Sequence, residues 1–424
     1  HLIPFQYKVF INSWANLKAR YRTVTQGYAW LRTVMLGLLV FYLYFFIFNL
    51  LKRLMKYMSK EKVVIDLMSD ADNEAILALS HRCPQDGVIG GYPDRSPEFR
   101  RIHQQLSKKS YHMVARKGDD LIGAFGAVYT NLQYEDKNYD SAYLLDLKVD
   151  PEYRRSTTAY RVVKETVNHL LEIGTELAIA SFLKDNEYSL IFTKSRAGIP
   201  DAKYLGDIRI FSIIPILKKR ISNKFSIDHP TEEDIPELIN LYNKFYSKYK
   251  LAPRMTKDLF SLYVNEIDGM DLGQFWVARQ DGKIKAVLCA WDEDHYKRWF
   301  VVRMSRLMKF FSFTLRTLGM IMKMPAPIRE FKSFKHISLV LSAHDDCIDG
   351  MQDLFRSVNN FYRGKKYTIL QSHYHIKDPV NEALKGLKGF NINVEVHVFT
   401  KDKEVAKKIA EDDRLVHFEW PMFI

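Results

Sequence analysis

The stretch of this chain best equipped for chemistry is "VDPEYRRSTTAY", Val149 to Tyr160. An alternating apolar run, "SAYLLDLKV", precedes it, and "RVVKETVNHLLEIG", with apolar residues at helical spacing, follows. A strand, a proline-marked turn and a helix start therefore succeed one another. The first N–H groups of a helix have no intrahelical acceptor, and the macrodipole places partial positive charge beside them. Arg155, Ser156, Thr157, Thr158, Ala159 and Tyr160 would aim those donors at an anion, with Arg154 adding charge. Helix starts of this kind commonly hold a pyrophosphate. The plain alternative is a Ser156-Thr157-Thr158 cap with solvated arginines.

Proton chemistry points to Asp146, a carboxylate between Leu145 and Leu147 on the strand entering that turn. Lys148 shares its face at period two, so the pair is either a base with its neighbour or a structural ion pair. Glu135 and Asp136 lie in a hairpin region and read as loop acids or acceptor contacts. His112, His169, His344, His373 and His375 show no metal-ligand spacing, so no metal is expected. Cys83, Cys289 and Cys347 stand far apart, which excludes a disulfide framework or a cysteine zinc site.

The elements that position these residues occur twice. From Lys62 the order is the strand "KVVIDLM", a helix from "DADNEAILALSHRC", the loop "PQDGVIGGYPDR" and a second helix starting at Ser96. A hairpin turning at Gly118-Asp119, the strand, turn and helix described above, and the strands "ELAIASFL" and "GDIRIFSII" complete the unit. From Phe225 a similar order returns, and "MVARKGDDLIGAFGA" parallels "WVARQDGKIKAVLCA" across the two hairpins. Hairpins mixed with helices indicate an α/β protein of mixed α+β layers. The expected domains are residues 62–222 and 223–424, after a basic segment 1–61.

Charge is concentrated rather than spread. The chain of 424 residues carries +13, but residues 1–62 hold +9 and residues 295–335 another +9, leaving −5 for the remainder. Neither basic stretch interleaves aromatics and bases as a nucleic-acid module does, so no nucleic acid is expected. The first contains "TVMLGLLVFYLYFFIFNLL", residues 33–51, nineteen residues without a charge. As a helix it would span roughly 28 Å, so a transmembrane helix is expected there. The chain would then lie on the cytoplasmic side of a membrane; if translation starts at Met58, it would be cytoplasmic. The second basic stretch, 296–335, reads as an amphipathic insertion that either faces an anionic membrane surface or packs on its own sheet.

The pattern Val149, Pro151, Tyr153, Arg154, followed by Thr157 and Ala159, resembles the acetyl-CoA motif of the GNAT acyltransferase superfamily. The order of strands and helices matches that superfamily over roughly residues 62–424. The resemblance implies two tandem GNAT-like domains, the second a degenerate copy with an acidic "SAHDDCIDGMQDL" in place of the motif. It implies acetyl-CoA or another acyl-CoA as co-substrate, held by Arg154 to Tyr160, with Leu147 and Val149 offering backbone groups to the pantetheine arm. Asn186 matches a further family position. Thr157 replaces the family's first glycine, and Thr193 stands where the family carries the tyrosine that protonates the departing thiolate; Tyr188 or Tyr204 is a substitute acid and Asp146 the candidate base.

The function expected from these features is acyl transfer to an amine of a small molecule, lipid or envelope precursor. Two alternatives remain: an aminoacyl transferase similar to the Fem-type or lysyl-phosphatidylglycerol enzymes, and a non-catalytic acyl-CoA or ligand-binding protein.

Overall fold

The computed structural model describes residues 35–49, 62–87, 89–184, 186, 190–194, 199–200 and 202–419. The chain divides into two compact units, residues 1–62 and 63–424. In the first, residues 35–49 are helical and all exposed. The membrane-spanning helix expected over 33–51 is not supported: among the described residues no helix is long and apolar enough to cross a membrane.

In the second unit the period-two runs pair into strands β1 (Val63–Leu67), β2 (Ile89–Asp94), β3 (Tyr111–Lys117), β4 (Asp120–Tyr134), β5 (Lys137–Val149), β6 (Leu177–Leu183) and β7 (Ala202–Ile213). They continue as β8 (Ser226–Asp228), β9 (Phe275–Gln280), β10 (Lys283–Trp291), β11 (Arg298–Met304), β12 (Ser333–His344), β13 (Tyr367–His375) and β14 (Gly389–Phe399). The sheet order is β1-β3-β4-β5-β6-β14-β7-β13-β12-β10-β9-β8, with β11 joining β12 to β2 at the side. Residues 62–222 and 223–424 thus share one sheet, because β7 lies between β13 and β14.

Only two ladders in that order are parallel, β5 with β6 and β12 with β13, each fourth and fifth from its end of the sheet. A parallel pair needs a crossover. The helices Thr158–Glu172 and Ile348–Tyr362 supply the two. Antiparallel neighbours turn tightly instead: at Asp281-Gly282 both φ angles are positive (52° and 75°), the geometry that a two-residue hairpin favours.

Side chains alternate between two helical layers. On β3, Val114 packs with Ile76 and Leu79 of the helix Asn73–Arg82. Its neighbours Met113 and Ala115 pack with Val162, Val163 and Leu170 of the helix Thr158–Glu172 on the other face. A larger cluster under the helices Ile235–Tyr246 and Ile348–Tyr362 includes Trp291, Phe275 and Phe355, all fully buried.

Three local expectations change. The loop "PQDGVIGGYPDR" contains β2, which pairs with β11; at Gly91 an added Cβ would sit 2.3 Å from the Phe300 carbonyl oxygen, so the glycines that disguise the strand are required for its pairing. The helix expected from Ser96 starts at Arg101, because the Phe99 N–H donates to Asn73 Oδ1 and not into a helix. The basic insertion opens with β11 before its helix, Arg306–Leu318.

Candidate active site

The parallel ladder of β5 and β6 runs from Ser141 beside Leu177 to Leu144 beside Ala180 and stops there, although both strands continue. Beyond Leu144 the strands splay apart. A bulge accompanies the divergence: β5 steps from Leu145 to Lys148 while β4 steps from Gly126 to Ala124, so Asp146 and Leu147 together oppose one β4 residue, and Asp146 has φ 58°. A bulge of this kind bends its strand and re-aims side chains. Leu147 turns to the core beneath the helix Thr158–Glu172, whereas Asp146 turns to the opposite layer.

The anion seat expected after β5 lies at the open end of this gap. Asp150 Oδ1 accepts from the Glu152 N–H at 3.0 Å and fixes the Pro151–Tyr153 turn, and Arg82 holds Asp150 from behind at 2.7 Å. Ser156 donates its hydroxyl to the Tyr153 carbonyl at 2.7 Å and accepts from the Thr158 N–H at 3.2 Å. One of the helix's leading donors is therefore already bonded internally. Arg154, Arg155, Ser156 and Thr157 are exposed, Thr158 is buried, and Ala159, Tyr160, Leu147 and Val149 are half-buried. Thr157 makes no capping bond and points outward, so it does not plug the seat.

Two other expected residues are placed differently. Asn186 is exposed, and its carbonyl accepts from the Leu190 N–H. Thr193 closes a single 3-10 turn and donates its hydroxyl to the Leu190 carbonyl at 2.8 Å. Tyr188 lies outside the described residues.

Behind the bulge is a buried charge cluster that the sequence disclosed only in part. Asp146, its side chain 7% exposed, bonds Arg95 at 2.8 Å and Lys148 on its other oxygen. His112 Nε2 and His103 Nε2 stand 3.7 and 3.9 Å from the same carboxylate. Phe99 covers the group, 5.1 Å from the Arg95 guanidinium and 5.6 Å from the Lys148 ammonium. Burial alone would raise the Asp146 pKa, but Arg95 and Lys148 outweigh it and hold the carboxyl well below its ordinary range. Burial pushes His103 and His112 down, so both imidazoles are neutral near pH 7, and among the described residues no group lies within hydrogen-bond distance of their ring nitrogens, Asp146 standing just beyond it.

One nitrogen of each histidine and an Asp146 oxygen lie within 4.8 Å of one another, the spacing of a metal-ligand set. The donor set does not fit a cation, because Asp146 is already neutralised by two buried positive groups that would repel it. A second ionic group adjoins the first: buried Glu293 bonds Lys297 at 3.0 Å, Ser338 at 3.0 Å and His336. Burial opposes ionisation of Glu293, but Lys297 and His336 bring its pKa down to about 2. The Lys297 ammonium also feels Arg95 and Asp146.

Gly126 makes room for this arrangement. A Cβ there would lie 2.4 Å from the His112 ring, which Phe99 and His103 hold in place. Gly126→Ala is expected to destabilise the protein by about 1–3 kcal/mol through overpacking. The loss should be read from urea denaturation and largely recovered in the double variant with His112→Ala.

Acid should act through the buried imidazoles. Burial lowers His103 and His112, and brings His344 and His373 to about 4. Below the unfolded value of about 6.5 the unfolded chain takes up protons that the folded chain refuses, so stability falls as pH drops from there toward 4. The urea midpoint should be flat above pH 7 and lower at pH 5; a midpoint unchanged at pH 5 would contradict this account.

The β12–β13 pair repeats the geometry of β5–β6 with a different outcome. Its ladder ends at Ser338 beside Gln371, and a bulge at Leu341, φ 48°, follows. Here residues 416–419 reach the gap: the Glu419 carboxylate accepts from the Ser342 N–H, while the neighbouring Phe418 packs edge-to-face on Tyr143 of β5 at 5.5 Å. Ser342, His373, Tyr374 and Glu419 enclose a cavity of about 20 Å³. The turn after β12 carries Asp345 and Asp346, bound to Lys244 and Lys248, where the turn after β5 carries arginines.

No protein-family model matches the sequence, and no curated protein matches it significantly. Among solved structures, Saccharomyces cerevisiae N-myristoyltransferase with bound myristoyl-CoA superposes with a TM-score of 0.55 at 13% identity, covering 80% of this chain and 84% of that one. A second structure of that enzyme with myristoyl-CoA gives 0.54 at 12% identity, covering 80% and 79%. At such identity the likeness is one of fold. The fold is GNAT-like, a mixed α/β architecture around one large mixed sheet.

Proposed function

We propose that this chain is an acyl-CoA-dependent N-acyltransferase that moves an acyl group from the thioester to an amine of a small molecule, lipid or envelope precursor. The observation that carries the reading is the splayed β5–β6 edge ending at an exposed helix start with Arg154 and Arg155 beside it. The pantetheine arm would take the place of the missing ladder, with its diphosphate at Arg154–Tyr160 and its thioester near the bulge. That the superposed N-myristoyltransferases hold myristoyl-CoA supports an acyl-CoA, of which acetyl-CoA is the short alternative.

In the transfer the thioester C–S bond breaks and a C–N bond forms. The amine gives up its proton to water and the coenzyme thiolate takes one from water, so the transfer needs no protein base or acid. Backbone N–H groups of the splayed strand would receive the developing oxyanion. Asp146, ion-paired and strongly acidic, holds the bulge in shape and is a poor proton acceptor near neutrality. Thr193 spends its hydroxyl on Leu190, so a thiolate released at the exposed mouth takes its proton from water.

The sheet order supports two tandem copies. It reads alike from both ends, with a parallel pair and a bulge, at Asp146 and at Leu341, in each half. The second copy is the degenerate one: its turn is acidic and residues 416–419 occupy its gap.

Calorimetric titration with acetyl-CoA, myristoyl-CoA and free CoA, followed by thiol release over a panel of amines, tests this reading. Binding with amine-dependent thiol release is expected. Binding without release for every amine would leave a ligand-binding protein, and no binding would end the proposal.

A further inference from the structure

The basic insertion is not used by the reaction, and its helix is apolar on two sides. On the inner side Leu315 and Ser312 are buried, and Ser312 donates its hydroxyl to the Ile328 carbonyl beside a small cluster of Val301, Met304 and Ile328. The helix is thereby seated on the protein. On the outer side Leu307, Phe310 and Phe313 recur at three-residue spacing, and Met320 and Ile321 follow at its end; these five side chains are 66–81% exposed. Monomeric soluble proteins rarely leave bulky aromatics that open to water on a docked helix.

Charge identifies what covers this side. Residues 295–335 carry ten Lys or Arg and a single acid. Lys309 is bound to Glu330 at 2.8 Å and Arg303 to Asp86 at 2.6 Å. Arg306, Arg316, Lys323 and Lys332 are exposed with no acidic partner among the described residues. On the helix, Arg306 and Arg316 flank the exposed phenylalanines by three or four residues on either side, the spacing that puts them on the same side. A protein partner could match the apolar side chains alone. An unpaired cationic rim around protruding aromatic and aliphatic groups matches a bilayer whose surface is anionic and whose interior is oil.

We propose that the helix Arg306–Leu318 and the turn after it dock this protein on an anionic membrane surface, lying in the headgroup plane with Leu307, Phe310 and Phe313 inserted. The proposal does not depend on the acyl-transfer reading. It also requires no spanning segment.

Flotation of the full chain with phosphatidylcholine vesicles, and with vesicles of phosphatidylcholine and phosphatidylglycerol at three to one, tests it at low and high salt. Binding is expected to the anionic vesicles, weakening at least tenfold in high salt or without phosphatidylglycerol. The full-chain pairs Phe310→Ser with Phe313→Ser, and Arg306→Glu with Arg316→Glu, should each lower it at least tenfold while leaving the thermal melt unchanged, since all four side chains are exposed. Vesicle binding undiminished by both pairs would place the affinity elsewhere in the chain and overturn the proposal. A dimer that the phenylalanine pair dissolves, without vesicle binding, would overturn it in favour of a second copy of this chain.

Discussion

Asp146→Asn is expected to destabilise the protein by about 3–5 kcal/mol, the loss typical of removing one partner from a buried ion pair. The cost lies less in the bond removed than in what stays behind. Arg95 is 3% exposed and Lys148 10%, and both would face each other across a neutral amide, with Lys297 nearby. Like charges held near one another without solvent have no inexpensive outcome except deprotonation of Lys148, whose pKa burial already lowers.

The backbone separates two contributions to that loss. Residue 146 sits at φ 58°, which Asn tolerates better than Ala. Asp146→Asn therefore reports the charge, and Asp146→Ala adds the left-handed penalty of roughly 1–3 kcal/mol. Lys148→Met introduced into Asp146→Asn should recover part of the loss, because it removes one of the stranded cations. The pH dependence has a definite sign. The native carboxyl is held below its unfolded value, so its contribution is complete above about pH 4 and is lost as pH falls through the native value. Wild type and Asp146→Asn should differ most at pH 7 and converge in strong acid. A loss under 1 kcal/mol at pH 7, measured by urea denaturation, would mean that water reaches Arg95 and Lys148, and the account of a dry lock behind the bulge would fail.

How much of this site could be read from the sequence follows from how local each signal is. The proline turn, the helix start and the carboxylate among leucines are neighbours in the chain, so "SAYLLDLKVDPEYRRSTTAY" displays the strand end, the seat and Asp146 together. Arg95, His103, Glu293 and Lys297 reach the same place by long-range pairing. Arg95 follows β2, a strand hidden by its glycines, and β2 is fixed by β11, which comes about two hundred residues later. His103 belongs to a helix of six residues, too short to show a period. The closing of the second gap by residues 416–419 had no local mark at all, since Glu419 and Ser342 meet only through the tertiary fold. The apolar run at 33–51 had the opposite character: its composition was conspicuous, but among the described residues it yields no helix long and apolar enough to cross a membrane.

The double substitution Arg154→Glu with Arg155→Glu is expected to weaken acyl-CoA binding about 30- to 100-fold. Hydrogen bonds to charged groups contribute about 1.5–3 kcal/mol each when shielded, and exposure to solvent reduces these two to about 1 kcal/mol each, roughly 30-fold together. Reversing the sign adds repulsion of the diphosphate at the helix start, where partial positive charge otherwise favours it. Both side chains are exposed, so the fold should be unaffected and the thermal melt should match wild type. The loss must also follow the ligand's chemistry. Acyl-CoA and free CoA carry the diphosphate and should both weaken, increasingly so at low salt, whereas an acyl-pantetheine thioester lacks it and should bind both proteins alike. If calorimetry finds the same acyl-CoA affinity in the variant, the seat after β5 holds no phosphate, and the splayed edge would have to be assigned to a ligand without one. If acyl-pantetheine weakens equally, the arginines act by shaping the turn rather than by meeting charge, and the internal Ser156 bonds to Tyr153 and Thr158 become the feature that decides the site.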